Sequence, residues 1–276
     1  MPTPLPSSPF VQIKAGCEKP PIFIAHGLSG TVQFVELAEH IRTGHPIYGI
    51  QAKGVDGIEE PLDRVEDMAK FYLDTLEQLY PDGPYILIGY SFGGLVAFEM
   101  AQRLSANGKR IALLVLLDAY PHPRFMPAPQ RLRLFLKRMR SHASQMRELP
   151  LSNALSYFAN GLKRRLHFPG ALHESQRPPE TLGLSFADTA LRRVNQKAYV
   201  AYASYQPRFY EGKIKFVTTE IQSFFPGDPI TVWGNLVAGI EVEVIPGDHL
   251  NIVTTEFKSL ASVLTRYVKE VTPGQS

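Results

Sequence analysis

The sequence predicts an α/β chain with a mostly parallel sheet of about seven strands, helices on both faces and one helical insertion. Three observations predict it. Short apolar runs bounded by glycine and proline alternate with stretches whose apolar residues recur three and four apart. One of these runs, Tyr85-Ile86-Leu87-Ile88, feeds through Gly89-Tyr90-Ser91-Phe92-Gly93 straight into a largely apolar helix. The alternation fails once, over about residues 124–186, where prolines bracket two basic amphipathic stretches.

The elements follow in order. Residues 1–9 are proline-rich, lack the basic-then-apolar order of a secretory signal, and read as a flexible tail or linker. One domain is expected over 10–276. Strands are expected at Phe10–Lys14, Pro21–His26, Pro46–Gln51, Pro84–Tyr90, Ile111–Leu117, Lys213–Thr219 and Ile240–Pro246. Between the third and fourth, Val65, Met68, Tyr72, Leu76 and Leu79 mark one helix face, with Asp63 placed as its N-cap. Phe92–Leu104 is the helix after the fourth strand. After the fifth come Pro121, Pro123, Pro127 and Pro129, then a stretch carrying Leu132, Phe135, Met139 and Met146 and another carrying Leu155, Phe158, Leu162 and Leu166. Pro178-Pro179 breaks the chain again before a helix near Ala187–Tyr205. An insertion this small reads as a lid, about 124–186, and not as an independent domain.

Composition bounds the function. Of 276 residues, 44% are hydrophobic and 20% charged, enough for a real core, which excludes disorder across the chain. No apolar stretch approaches the roughly 20 residues of a spanning helix, so no membrane span is expected. The single cysteine, Cys17, excludes an internal disulfide and a cysteine-built metal site; no metal is expected, and the expected compartment is the cytoplasm. A formal net charge of +3 argues against a global nucleic-acid binder. The charge is uneven, however. Residues 124–177 hold eleven Lys and Arg against Glu148 and Glu174, a net +9 in a remainder of −6. Such a segment is either a solvated helical face or a surface for an anionic partner, because clustered cations raise the local potential.

The chemistry centres on Ser91. A serine at a sharp strand-to-helix turn sits in strained backbone geometry and needs minimal neighbours, which Gly89 and Gly93 supply. The turn aims the Phe92 amide and the positive helix end at the space before the hydroxyl. The competing reading of the same residues is a structural tight turn. A serine nucleophile needs a base. His249 follows the last strand in Ile245-Pro246-Gly247-Asp248-His249, where such a sheet delivers one; His142, His167 and His173 lie in the insertion and read as incidental. Asp118, at the end of the strand Ile111–Leu117, is the preferred acid. Asp228 in Phe225-Pro226-Gly227-Asp228-Pro229 is the alternative, although that sequence also suits a helix N-cap. Asp248 is discounted, since adjacent residues rarely face each other. For an oxyanion hole, His26-Gly27-Leu28-Ser29-Gly30 can present the Leu28 amide beside that of Phe92, with His26 shaping the loop.

The run PIFIAHGLSG, the elbow GYSFGG, the strand IALLVLLDAY and the late GDH together resemble a thioesterase of the α/β-hydrolase superfamily. The likeness is nearer to the product-releasing thioesterase domains of nonribosomal peptide and polyketide synthases. Asn195, Ala198, Tyr202 and Tyr205-Gln206-Pro207-Arg208-Phe209-Tyr210-Glu211-Gly212-Lys213 resemble the segment after their lid. The likeness spans about residues 10–270. It implies an α/β-hydrolase fold and an acid at Asp118; the stand-alone editing thioesterases would place it at Asp228 and carry His-Ser-Met where this chain has Tyr90-Ser91-Phe92. The chain then reads as either an excised domain or a free-standing enzyme. The resemblance further implies release, by hydrolysis or macrocyclisation, of an acyl, peptidyl or polyketide chain through a serine acyl-enzyme. No cofactor is expected beyond the phosphopantetheine arm that delivers the substrate, and the implied partner is an acyl or peptidyl carrier protein. Carriers are generally acidic, which makes Arg131, Lys137, Arg138, Lys163, Arg164 and Arg165 the docking candidates. Two other readings stay open: a carboxylesterase or lipase acting on oxygen esters, and a non-catalytic hydrolase-like binding scaffold.

Overall fold

A computed structural model describes residues 8–27, 30–136, 139, 186–221 and 228–272. Residues 1–7 of the expected tail and 140–185 of the expected lid lie outside the described residues. The chain order is β1 (Phe10–Lys14), β2 (Ile22–Ala25), α1 (Val35–His40), β3 (Ile47–Ile50), α2 (Val65–Leu79), β4 (Tyr85–Tyr90), α3 (Phe92–Ala106), β5 (Ile111–Leu117), α4 (Phe186–Ser204), β6 (Tyr210–Ile221), α5 (Pro229–Trp233), β7 (Val237–Asp248) and α6 (Phe257–Val271). All seven expected strands form. They make one sheet in the order β1-β3-β2-β4-β5-β6-β7, in which β1 alone runs antiparallel to its neighbour.

The strands are apolar on both faces because both faces are covered. In β2, Ile22 and Ile24 pack with α1 and α6, whereas Phe23 and Ala25 pack with α2 and α3. The same alternation in β4 sends Ile86, Ile88 and Tyr90 to the α1/α6 side and Tyr85 and Leu87 to the other. Each large side chain buried this way contributes roughly 1.5–3 kcal/mol. A one-residue slip of register would exchange the two faces.

Two details of α2 differ from expectation. Arg64, in extended backbone, occupies the N-cap position without a side-chain capping bond. Asp63 turns instead to Lys197 of α4, 2.8 Å away. Leu79 is half-exposed, because the helix stops there and Tyr80 takes up the packing against the core.

Helical residues 128–136 begin the expected lid. Leu134 and Gln130 face inward, while Leu132, Phe135 and Met139, apolar residues of the first expected amphipathic stretch, are exposed. Among the described residues, no helix is long and apolar enough to cross a membrane.

Candidate active site

The site sits at the carboxyl ends of β4, β5 and β7. Ser91 leaves β4 with φ 54° and ψ −121° and stands at the N-terminus of α3. Its amide donates to Leu117 O at 2.9 Å, fixing the turn against β5. The flanking glycines are required by space. A Cβ on Gly89 would stand 2.5 Å from Gly93 O, and one on Gly93 would stand 2.3 Å from His26 O. The strand and helix therefore cross closer than any side chain allows.

Asp118 is the other strained residue. It has φ 45°, and among the described residues it and Ser91 are the only non-glycine positions with positive φ. Aspartate tolerates this region through its short polar side chain, and backbone strain of this kind gathers at functional sites. The Asp118 amide donates to Val217 O at 2.8 Å, and Trp233 Nε1 donates to Ala119 O at 3.0 Å, so β6 and α5 together hold the turn.

These strained turns bring three distant side chains together. His249 Nδ1 lies 2.8 Å from Asp118 Oδ2, and His249 Nε2 lies 3.0 Å from Ser91 Oγ. Both Asp118 and His249 are buried. The second oxygen of Asp118 accepts from Thr218 Oγ1 at 3.0 Å. A carboxylate bonded on both oxygens keeps one orientation and leaves His249 a fixed donor at Nδ1 and an acceptor at Nε2.

The remaining candidates separate cleanly. Asp228 is the N-cap of α5: it accepts from the Thr231 amide at 3.2 Å and from the Thr231 hydroxyl. These bonds, the hydroxyl's foremost, hold its carboxyl below the usual aspartate range. Asp248 accepts from the amides of Leu250 and Asn251 at 2.9 and 3.0 Å, forming the turn that carries His249. Phe92 opens α3, and Gly27 lies beside the serine, since a Cβ there would stand 3.3 Å from Ser91 Cβ. Leu28 lies outside the described residues, as do Lys137, Arg138, Lys163, Arg164, Arg165, His142, His167 and His173. Arg131 is exposed on helical residues 128–136.

His26, Gly27, Phe92 and Gly93 also line a cleft of about 480 Å³, its open mouth included. Burial pushes the His26 imidazole below its ordinary value, so it is neutral at neutral pH. Ile50, Pro61, Leu62, Met68, Tyr72 and, from α4, Val194, Asn195 and Ala198 line the cleft as well. Two ion pairs, Arg193 to Glu60 at 2.5 Å and Lys197 to Asp63 at 2.8 Å, tie α4 to the facing loop.

Sequence reasoning missed Thr218 and Tyr90. Thr218 could have been found from register: Leu117 pairs with Val217, so the next residue on each strand meets its counterpart. Tyr90 has its hydroxyl 2.6 Å from His249 O.

The thioesterase domain family model matches residues 20–267, nearly the whole chain. The chain belongs to the thioesterase domain family. This thioesterase domain is 39% identical over 119 residues to a dimodular nonribosomal peptide synthase of Bacillus subtilis (strain 168), covering 43% of this chain and 5% of that protein. The curated relatives are far longer, and the chain spans between 1% and 12% of their lengths in the leading matches. Among solved structures it is similar to the NocB thioesterase domain in covalent complex with a fluorophosphonate nocardicin G analog, with TM-score 0.62, 20% identity and coverage of 91% and 95% of the two chains. The Vlm2 thioesterase domain bound with a dodecadepsipeptide gives TM-score 0.59, 24% identity and coverage of 95% and 98%. At these identities the likeness speaks for the α/β-hydrolase fold, which agrees with the expected architecture.

Proposed function

We propose that this thioesterase domain releases an acyl or peptidyl chain from a phosphopantetheine carrier through a Ser91 acyl-enzyme. The observation that carries the proposal is the hydrogen-bonded series Ser91, His249, Asp118 at two strained turns in a chain of this family. His249 Nε2 takes the Ser91 proton as Oγ bonds to the thioester carbonyl carbon. The developing oxyanion is met by the Phe92 amide at the head of α3, with the Leu28 amide the second donor expected from the sequence; each such donor is worth about 3 kcal/mol in the transition state. The C–S bond then breaks, and the leaving thiol takes the proton from His249. A water, or a hydroxyl or amine of the acyl chain itself, gives its proton to His249 and attacks the ester. The C–Oγ bond breaks and Ser91 is reprotonated. Asp118 stays ionised throughout and stabilises the imidazolium. The cleft from His26 to Asn195 receives the chain.

The partner in this reading is an acidic acyl or peptidyl carrier protein, met by the basic segment that includes Arg131. The support is the +9 charge of residues 124–177 and the synthase context of the relatives. Reversing several of these charges should slow association, and added salt should do the same. An association rate indifferent to both overturns the docking role.

The test of the reaction is mass spectrometry on the protein mixed with acyl-pantetheine thioesters. An acyl adduct on Ser91, with released acid or ring, and no adduct in Ser91→Ala is the expected result. Absence of adduct and release, with simple oxygen esters cleaved, would move the reading to a carboxylesterase. Inertness toward both, with no fluorophosphonate labelling of Ser91, would leave a binding scaffold.

A further inference from the structure

We infer that Tyr90 is the positioning residue for the His249 base. The side chain of Tyr90 meets His249 twice: its hydroxyl donates to His249 O at 2.6 Å, and its ring lies 5.3 Å from the imidazole at an interplanar angle of 26°. The inference rests on the reading of Ser91 and His249 given above.

The topology explains the need. His249 follows β7, and Ser91 follows β4, with β5 and β6 between them in the sheet. The β6–β7 ladder ends at the pairing of Ile221 with Asp248, one residue before the base. Asp118 and Ser91 hold the two ring nitrogens in the ring plane, and a ring held only in its plane can still tilt about the line between them. Stacking against Tyr90 opposes the tilt, and the bond to the carbonyl ties the backbone of His249 to the strand that carries the nucleophile. Because Tyr90 and Ser91 are adjacent, any displacement of the base relative to the nucleophile must strain this bond.

Alternation along β4 places Tyr90 where this is possible. It shares a face with Ile86 and Ile88, is 5% exposed and packs edge-on against Phe34. Burial, with the nearby Asp118 and Asp248 carboxylates, pushes the phenol far above its ordinary value, so it remains a proton donor throughout the working pH range of the imidazole. Tyr90 thus keeps its proton while His249 exchanges one with Ser91.

The experiment compares wild type, Tyr90→Phe, Tyr90→Leu and the core variant Leu264→Ala of α6. It follows acyl-pantetheine hydrolysis, fluorophosphonate labelling of Ser91 and thermal unfolding in each. Tyr90→Phe retains the stack and removes the donor. It should lower kcat and the labelling rate about tenfold with KM little changed, as one buried hydrogen bond is worth roughly that factor. Tyr90→Leu should lose more. Leu264→Ala should unfold at lower temperature while labelling at the wild-type rate per folded molecule. Wild-type kcat and labelling in Tyr90→Phe overturn the inference. A rate that falls in step with stability across all three variants also overturns it, because it reduces Tyr90 to packing. Should Tyr90→Phe not fold, the imidazole Nδ1 proton of the Leu variant decides: exchange with water as slow as in wild type overturns the inference, and faster exchange supports it. A wild type that neither labels nor hydrolyses thioesters refutes the underlying reaction instead.

Discussion

His249 Nδ1 and Asp118 Oδ2 stand 2.8 Å apart although 131 residues separate them in the chain. The bond crosses β6, which lies between β5 and β7, the strands that these two residues follow. It also divides the two candidate acids by geometry, since Asp228 spends both its oxygens on Thr231.

Asp118→Asn should therefore leave binding intact and lower kcat by roughly 10³–10⁴, because an amide stabilises the wrong imidazole tautomer and no imidazolium. Asp228→Asn should stay within a few-fold of wild type. Steady-state kinetics on one acyl-pantetheine thioester checks both, and a crippled Asp228→Asn beside a mild Asp118→Asn would reverse the assignment.

Asp228 should matter to stability instead. Replacing this N-cap with alanine should cost about 1 kcal/mol near neutral pH. The sign with pH follows from linkage: its folded pKa is depressed below the ordinary 3.8, so the contribution is present above that value and fades as pH falls through the lower folded one. Denaturant midpoints of wild type and Asp228→Ala should differ near neutral pH and draw together only as the pH falls below the ordinary aspartate value.

Thr218→Val removes the donor to the second oxygen of a buried carboxylate while keeping the shape. A bond to a charged group of this kind is worth about 1.5–3 kcal/mol. The expected result is a kcat lowered by one to two orders of magnitude, with Thr218→Ser restoring most of it. A Val variant as active as the Ser variant would assign Asp118 its orientation from the imidazole alone.

Gly89→Ala puts a methyl 2.5 Å from the backbone of Gly93 and Gly94. Backbone cannot rotate away as a side chain can, so the turn must open. A loss of about 1–3 kcal/mol or more is expected, together with loss of Ser91 labelling. By contrast, nothing lies within 4 Å of the added Cβ at Gly108, where only the positive φ resists substitution. Gly108→Ala should cost stability and leave labelling of the folded protein intact.

The pairs Arg193–Glu60 and Lys197–Asp63 hold α4 across the cleft. They are exposed, so salt screens them. Asp63→Asn with Glu60→Gln should raise KM for long-chain thioesters while kcat for a short one is unchanged. High salt should reproduce the effect in wild type and add nothing in the double variant.

The sequence by itself determined the seven strands, the two faces of the sheet, the elbow at Ser91 and the position of His249 after the last strand. These are local facts: side-chain alternation, glycine spacing and proline breaks act over a few residues and leave a mark in the order of residue types. It also ranked Asp118 above Asp228, and the N-cap pattern Asp-Pro before α5 was legible as the reason for the rival's different duty. Tertiary structure alone decided the rest. Asp63 abandoned its expected cap for Lys197, a residue 134 positions away. Thr218 and Tyr90 gained their partners only when β6 and β7 came into register beside β5, and Asp118 took up positive φ under that packing. A hydrogen bond between distant residues has no signature in either sequence neighbourhood, because it depends on where the sheet places two chain ends in space.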